Sequence, residues 1–221
     1  MSGLLAGTYE WERNGITVPH LEVVPVLHGI DVSAYQTDFD TDGLDFVFVK
    51  ATEGRSYVNP RLKSQVKRAR DAECVIGFYH FLWPGHAKEQ AEYFLDRTPE
   101  REGDLLAVDW EQTGEGTRAS SADKDRFIRE VKKLRPHHRV LLYCNRTFWI
   151  NHDTSSYAGD GLWIADYGKA AAPRIEAAWR IHQYTDDPLD KNVADFSSRE
   201  AMRAWARQPS SCARTSVVRH G

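Results

Sequence analysis

Two carboxylates one residue apart, Asp109-Trp110-Glu111, follow directly on the apolar run Leu105-Leu-Ala-Val108. In an extended chain that spacing puts both side chains on one face, with Cα atoms ~6.6 Å apart. Two like charges so close at the end of a buried strand cannot both ionise easily, so one pKa rises. The pair then divides into a carboxylic acid that can donate a proton and a carboxylate that can stabilise positive charge. Glycoside hydrolysis needs that division of labour. Asp-x-Glu alone is a weak signal, but an exposed surface pair rarely follows four core residues.

Similar polar groups close other apolar runs. His28-Gly-Ile-Asp-Val-Ser33 carries Asp31 and Ser33, and Phe46-Val-Phe-Val-Lys50 ends in Lys50 with Thr52 and Glu53 just beyond. Val75-Ile-Gly-Phe-Tyr-His80 ends in Tyr79-His80 and Val140-Leu-Leu-Tyr143 leads into Cys144-Asn145. Leu162-Trp-Ile-Ala165 leads into Asp166-Tyr167, and Trp179-Arg-Ile-His-Gln-Tyr184 ends in Gln183-Tyr184. Aromatic residues are 11% of the chain. Trp83, Trp110, Trp163, Tyr79, Tyr143, Tyr167 and Tyr184 fall at or near these ends, where flat rings with a polar edge suit sugar C–H faces.

The elements that would position these groups read as an α/β fold. The runs are continuously apolar rather than alternating, as in strands covered on both faces. Between them lie helical patterns. One starts at Asn59-Pro60 and carries Leu62, Val66 and Ala69; a second carries Ala87, Ala91, Phe94 and Leu95. A third starts near Ser120 or Ser121, carries Phe127, Val131 and Leu134, and stops before Pro136. A fourth follows the capping-box pattern Ser197-Ser-Arg-Glu200 and carries Ala201 and Trp205. Such alternation predicts a mainly parallel sheet, open or closed, whose strand C-termini form the active rim.

Composition excludes several classes. The chain has 221 residues, a length one domain absorbs, and 29 Lys+Arg against 32 Asp+Glu leave a net charge of −3. No basic field draws in nucleic acid, and no apolar run reaches the ~18 residues of a membrane span. The start lacks a secretory signal pattern, so synthesis in the cytoplasm is expected. Cys74, Cys144 and Cys212 are too few and too widely spaced for a disulfide framework or zinc site. Gly114-Glu-Gly116 is no phosphate loop, the nine histidines form no ligand pair, and no nucleophile elbow is present. No cofactor or metal is expected. His80 at the rim reads as a packing or hydrogen-bonding group. Residues 1–25 read as an N-terminal extension, 26–206 as the catalytic domain and 207–221 as a polar tail.

Seven segments in order resemble the motifs of the family 25 glycoside hydrolases, lysozymes of the muramidase type. They are Gly29-Ile-Asp-Val-Ser33, Phe48-Val-Lys-Ala-Thr-Glu-Gly54, Gly77-Phe-Tyr-His-Phe81, Gln90-Ala91, Val108-Asp-Trp-Glu111, Trp163-Ile-Ala-Asp-Tyr167 and Gln183-Tyr-Thr185. The resemblance spans about residues 26–206. It implies an irregular, flattened (β/α) TIM-like barrel and cleavage of the β-1,4 bond between N-acetylmuramic acid and N-acetylglucosamine, with retention. It implies a monomer whose partner is bacterial peptidoglycan, acting on the wall after release, as a phage endolysin does. By the same match the catalytic carboxylates are Glu111, Asp109, Asp31 and, in the last strand, Asp195. Glu111 would be the general acid. Asp109 would be either the nucleophile or the group that orients the substrate's 2-acetamido. Substrate contacts are assigned to Tyr79, Tyr143, Tyr167, Lys50, Glu53, Gln183 and Trp83. Two departures from the pattern are expected: His182-Gln183-Tyr184 where the family often has Trp-Gln-Tyr, and Asp195-Phe-Ser197 where it often has Asp-x-Asn. A glycan-binding protein without activity and a chitinase are the competing readings. Chitinases of the substrate-assisted type carry an Asp-x-x-Asp-x-Asp-x-Glu run, and the corresponding stretch here, Asp104–Glu111, lacks its middle Asp.

Overall fold

A computed structural model describes residues 26–208; the N-terminal extension, Cys212 and nearly all of the tail lie outside the described residues. In chain order the elements are β1 (Leu27–Val32), β2 (Phe46–Glu53), β3 (Tyr57–Val58), α1 (Leu62–Asp71), β4 (Val75–Phe81), α2 (Ala87–Arg97) and β5 (Leu105–Asp109). They continue as α3 (Ser121–Leu134), β6 (Val140–Asn145), α4 (Arg146–Asn151), β7 (Gly161–Ala165), β8 (Ile181–Thr185), β9 (Lys191–Ala194) and α5 (Arg199–Ala206). All seven apolar runs are strands.

The sheet runs β1-β9-β8-β7-β6-β5-β4-β2, and β1 also pairs with β2, which closes eight strands into a barrel. The two-residue β3 hangs antiparallel on β2 outside that ring. Pairings from β1–β2 round to β7–β8 are parallel, whereas β9 is antiparallel to both β8 and β1. A flattened, irregular barrel follows. No helix separates β1 from β2 or β7 from β8, so the helical layer is incomplete.

Strand alternation sorts the apolar residues into two cores. One set, including Phe46, Phe48, Leu105, Ala107, Leu141, Trp163 and Ile181, fills the barrel. The intervening residues, including Val47, Val49, Phe78, Leu106, Val108, Leu142 and Ile164, meet the helices outside. Both faces are therefore dry, which explains the continuous apolar runs. Met202 and Ala206 of α5 join the interior set, so this helix stops the barrel end opposite the strand C-termini.

Two local expectations change. Ser198 rather than Ser197 caps α5, accepting from Ala201 N–H at 3.1 Å; the third helical residue is then Ala201, and Glu200 cannot complete a reciprocal box. Leu134 is 37% exposed at the end of α3 instead of buried, while Ser120 and Asp123 do form a capping box there. The short α4 and β9 lack a long apolar signature, and each becomes visible only in its tertiary setting.

Gly77 sits inside the barrel, where an added Cβ would overlap the ring of Phe48. Phe48 in turn lies 4.5 Å, centroid to centroid, from Trp163. Gly77→Ala should cost about 1–3 kcal/mol, as overpacked cores do, and lower Tm by several degrees in a thermal melt. An unchanged Tm would show that the interior can yield around Phe48.

Candidate active site

Inward alternation carries one polar side chain from almost every strand to the same barrel mouth. Asp31, Tyr79, Asp109, Glu111, Tyr143, Trp163, Tyr167, Gln183 and Asp190 line a pocket of about 190 Å³. Of the residues expected from sequence, Asp31, Asp109, Glu111, Tyr79, Tyr143, Tyr167 and Gln183 meet there.

Asp195 does not. Because β9 runs antiparallel to its neighbours, its beginning rather than its end lies at the mouth. Asp195 follows β9 at the far end of the barrel, where it pairs with Arg180 at 3.8 Å. The fourth carboxylate is Asp190, one residue before β9 begins. Asp190-Lys191-Asn192 is also the Asp-x-Asn that was sought at 195, so that apparent departure disappears. The family match places the fourth carboxylate at Asp195, but it is the start of β9, not its end, that reaches the mouth.

A hydrogen-bond relay fixes the floor. The Trp163 indole N–H can only donate, and it donates to Asn192 Oδ1 at 2.7 Å. The amide nitrogen of Asn192 is thereby turned to Asp31 Oδ2, 2.7 Å away. Gln183 repeats the arrangement. Its Oε1 accepts from the hydroxyls of Tyr143 at 2.9 Å and Tyr167 at 3.2 Å, and its Nε2 donates to Asp31 Oδ2 at 2.8 Å. Trp163 was singled out from the sequence only as one of the aromatic residues at the strand ends, and Asn192 and Asp190 not at all. The polar break Asp-x-Asn ahead of an apolar pair was the available signal.

Burial dominates the electrostatics. It raises the Asp31 pKa from 3.8 to about 8, helped by the charge of Asp190 and opposed by the two amide donors. Asp190 is lifted to about 6 by burial and by Asp186. Asp109 is held well above the carboxylate range by burial and then by Glu111, and its Oδ1 is buried with no hydrogen-bond partner in the protein. Glu111 is raised by burial while a hydrogen bond from Asn145 pulls the other way. Burial also keeps the phenols of Tyr79, Tyr143 and Tyr167 neutral by raising their pKa values.

Lys50, Glu53 and Trp83 form a separate group that does not line this pocket. Lys50 Nζ meets Glu53 Oε2 at 2.7 Å, and Trp83 Nε1 donates to Glu53 Oε1 at 2.9 Å. Burial would raise Glu53, but these two donors hold it below the usual range. The positive charge of Lys50 still acts on Asp109 and Glu111. His80 supports this corner, buried between Thr52 Oγ1 at 2.8 Å and Gln90 Oε1 at 3.2 Å, with its pKa pushed down to about 3 by burial. Gln90 then holds the Trp83 and Gly85 carbonyls. His80 is thus the hydrogen-bonding core group expected, and Cys74 and Cys144 are buried free thiols raised by burial. Asp166 closes the β7 rim structurally through Arg174, which bonds both its oxygens. His182 points outward, its Nε2 on the Asp166 carbonyl at 2.8 Å. Among the described residues no cluster of His, Cys, Asp and Glu could hold a metal ion.

A closed barrel with four converging carboxylates over tyrosine and tryptophan defines a glycoside hydrolase-like site. The model for glycosyl hydrolases family 25 matches residues 30–193, and the chain belongs to that family. It is 30% identical over 176 residues to the N,O-diacetylmuramidase of Chalaropsis sp, covering 69% of this chain and 83% of that one. It is 27% identical over 186 residues to the lysozyme of Streptococcus phage Cp-7, covering 74% of this chain and 52% of the phage protein. The fold matches the crystal structure of the bacterial lysozyme from Streptomyces coelicolor with a TM-score of 0.71 at 25% identity, over 82% of this chain and 97% of that one.

Asp31 binds its proton more tightly folded than unfolded, so its stabilising share is complete below pH 3.8 and is lost as pH climbs through about 8. Asp31→Asn should therefore flatten the fall of Tm across that window and exceed the wild-type Tm at its upper end. Parallel Tm–pH curves for the two proteins would refute the raised pKa.

Proposed function

We propose that this chain cleaves the β-1,4 bond between N-acetylmuramic acid and N-acetylglucosamine of bacterial peptidoglycan, with Glu111 as general acid. The observation that carries the reading is the convergence of Asp31, Asp109, Glu111 and Asp190 on one aromatic-floored pocket in a family 25 barrel. Glu111 is buried enough to keep its proton at the pH where an exposed carboxylate would lose it. It gives that proton to the leaving glycosidic oxygen and afterwards takes one from water.

Asp109 is assigned to orienting the 2-acetamido group. A carboxyl whose burial favours its neutral form is a poor nucleophile, but its unpartnered Oδ1 can accept the acetamido N–H. The acetamido oxygen then attacks the anomeric carbon as the leaving bond breaks. Water, deprotonated by Glu111, opens the resulting ring from the opposite face. Two inversions give net retention. Asp31, held by the amide groups of Gln183 and Asn192, sets the floor of the cleft, and Asp190, raised only to about 6, supplies negative charge beside the forming cation at neutral pH. Tyr79, Tyr143 and Tyr167 are assigned to the sugar faces, and Lys50, Glu53 and Trp83 to a flanking part of the cleft.

The likeness to a phage lysozyme supports a role in lysis from within a phage-infected cell, with the cell wall as the place of action. Among the described residues no helix is long and apolar enough to cross a membrane. No cofactor takes part in this scheme.

Purified peptidoglycan should lose turbidity with the wild-type chain and lose it more than ~100-fold more slowly with Glu111→Gln, the size expected on removing a general acid. Proton NMR of the first-formed product should show the β anomer at muramic acid. Failure of the wild type to clear walls from several bacteria would favour a binding-only protein, and an α anomer would exclude retention.

A further inference from the structure

Glu111 has one neighbour whose orientation is decided elsewhere in the fold. Asp109 pairs with Tyr143 across β5 and β6, and Trp110 N–H donates to the Tyr143 carbonyl at 2.9 Å. Two residues past that register, Glu111 comes alongside Asn145, the last residue of β6. Asn145 is also the residue that caps α4: its Oδ1 accepts the Phe148 N–H at 2.9 Å. With the oxygen committed to the helix, only the amide N–H groups remain for the cleft, and they donate to the Glu111 carboxyl.

The helix cannot easily turn to release this constraint. The Phe148 ring stands edge-on to Trp110 at 5.2 Å, so α4 packs on the residue between the two catalytic-pair carboxylates. Just beyond α4, Asp153 is tied down by Lys124, whose side chain is fully buried. Lys124 Nζ lies 2.7 Å from Asp153 Oδ1 and 2.8 Å from the Tyr157 carbonyl, and 5.6 Å over the Trp110 ring. Both ends of the short helix are thus held, one by Asn145 and one by the buried lysine.

We propose that Asn145 is a positioning residue for the general acid: its carbonyl caps α4, which obliges its amide to donate to Glu111. The inference rests on the assignment of Glu111 above. A donor that cannot become an acceptor favours the carboxylate over the acid. It therefore meets the charge that appears on Glu111 as the proton leaves, and it restrains the acid from turning away before that. Other charges facing Glu111 are Asp109 on its own strand, Asp31 from β1, Asp190 ahead of β9 and Lys50 from β2; the surrounding tyrosines are neutral.

The test separates the cap from the donor. Asn145→Ser and Asn145→Asp both keep an oxygen for the Phe148 N–H, since Ser and Asp are good N-caps, and both remove the amide donor. Asp also adds a like charge. The pH–rate profile for a soluble peptidoglycan fragment should show its alkaline limb, where Glu111 loses its proton, moved upward by about one pH unit in Asn145→Ser and further in Asn145→Asp. One charged hydrogen bond accounts for that size. kcat should fall about tenfold with KM unchanged, and Tm should stay close to wild type. A limb that stays in place in both variants overturns the proposal, whether or not Tm falls, because loss of a cap alone does not move it. Glu111→Gln is run alongside. If it is inactive while the Asn145 variants keep the wild-type limb, only the Asn145 inference fails; if it clears walls at the wild-type rate, the assignment of the acid fails and the Asn145 inference with it.

Discussion

The site depends on a buried carboxylate being held by donors that cannot turn round. Asp31 lies between the amide groups of Gln183 and Asn192, and each amide is oriented by an aromatic partner behind it. An indole N–H has no lone pair to offer, so Trp163 decides which way Asn192 faces. The aromatic floor is therefore part of the electrostatic apparatus. The same residue also helps close the barrel, since Asp31 N–H donates to the Asp190 carbonyl at 3.2 Å. Strand closure and carboxylate spacing are one geometric fact, and neither can shift without the other.

The two ends of the barrel are built on opposite principles. At one end apolar side chains and α5 exclude water. At the other, four acids are gathered where burial opposes their ionisation. A lone group of this kind would be a folding liability. Here the packed half of the barrel and the amide relay hold it in place.

Much of this was legible before any coordinates. Continuous apolar runs located every parallel strand because each is covered on both faces, and period-two alternation put Asp109 and Glu111 on one side. The polar ends of those runs located the mouth. In a parallel strand the rim carboxylate follows the apolar residues, as Asp109 does; in the antiparallel β9 it precedes them, so Asp190 rather than Asp195 reaches the mouth. Nothing in four residues of β9 records its direction, which is set by pairing to β1 and β8 across the whole chain. Asn145 was noticed only as a polar strand end, for a related reason: its role comes from a six-residue helix too short to announce itself by periodicity.

The antiparallel strand has a further outcome for where the chain enters and leaves the barrel. Leu27 at the start of β1 lies opposite Ala194 at the end of β9, and α5 then crosses the same closed end. Entry to and exit from the barrel are thus neighbours on the side facing away from the cleft. The described chain enters and leaves the barrel behind the mouth, and neither crossing obstructs the approach to the pocket.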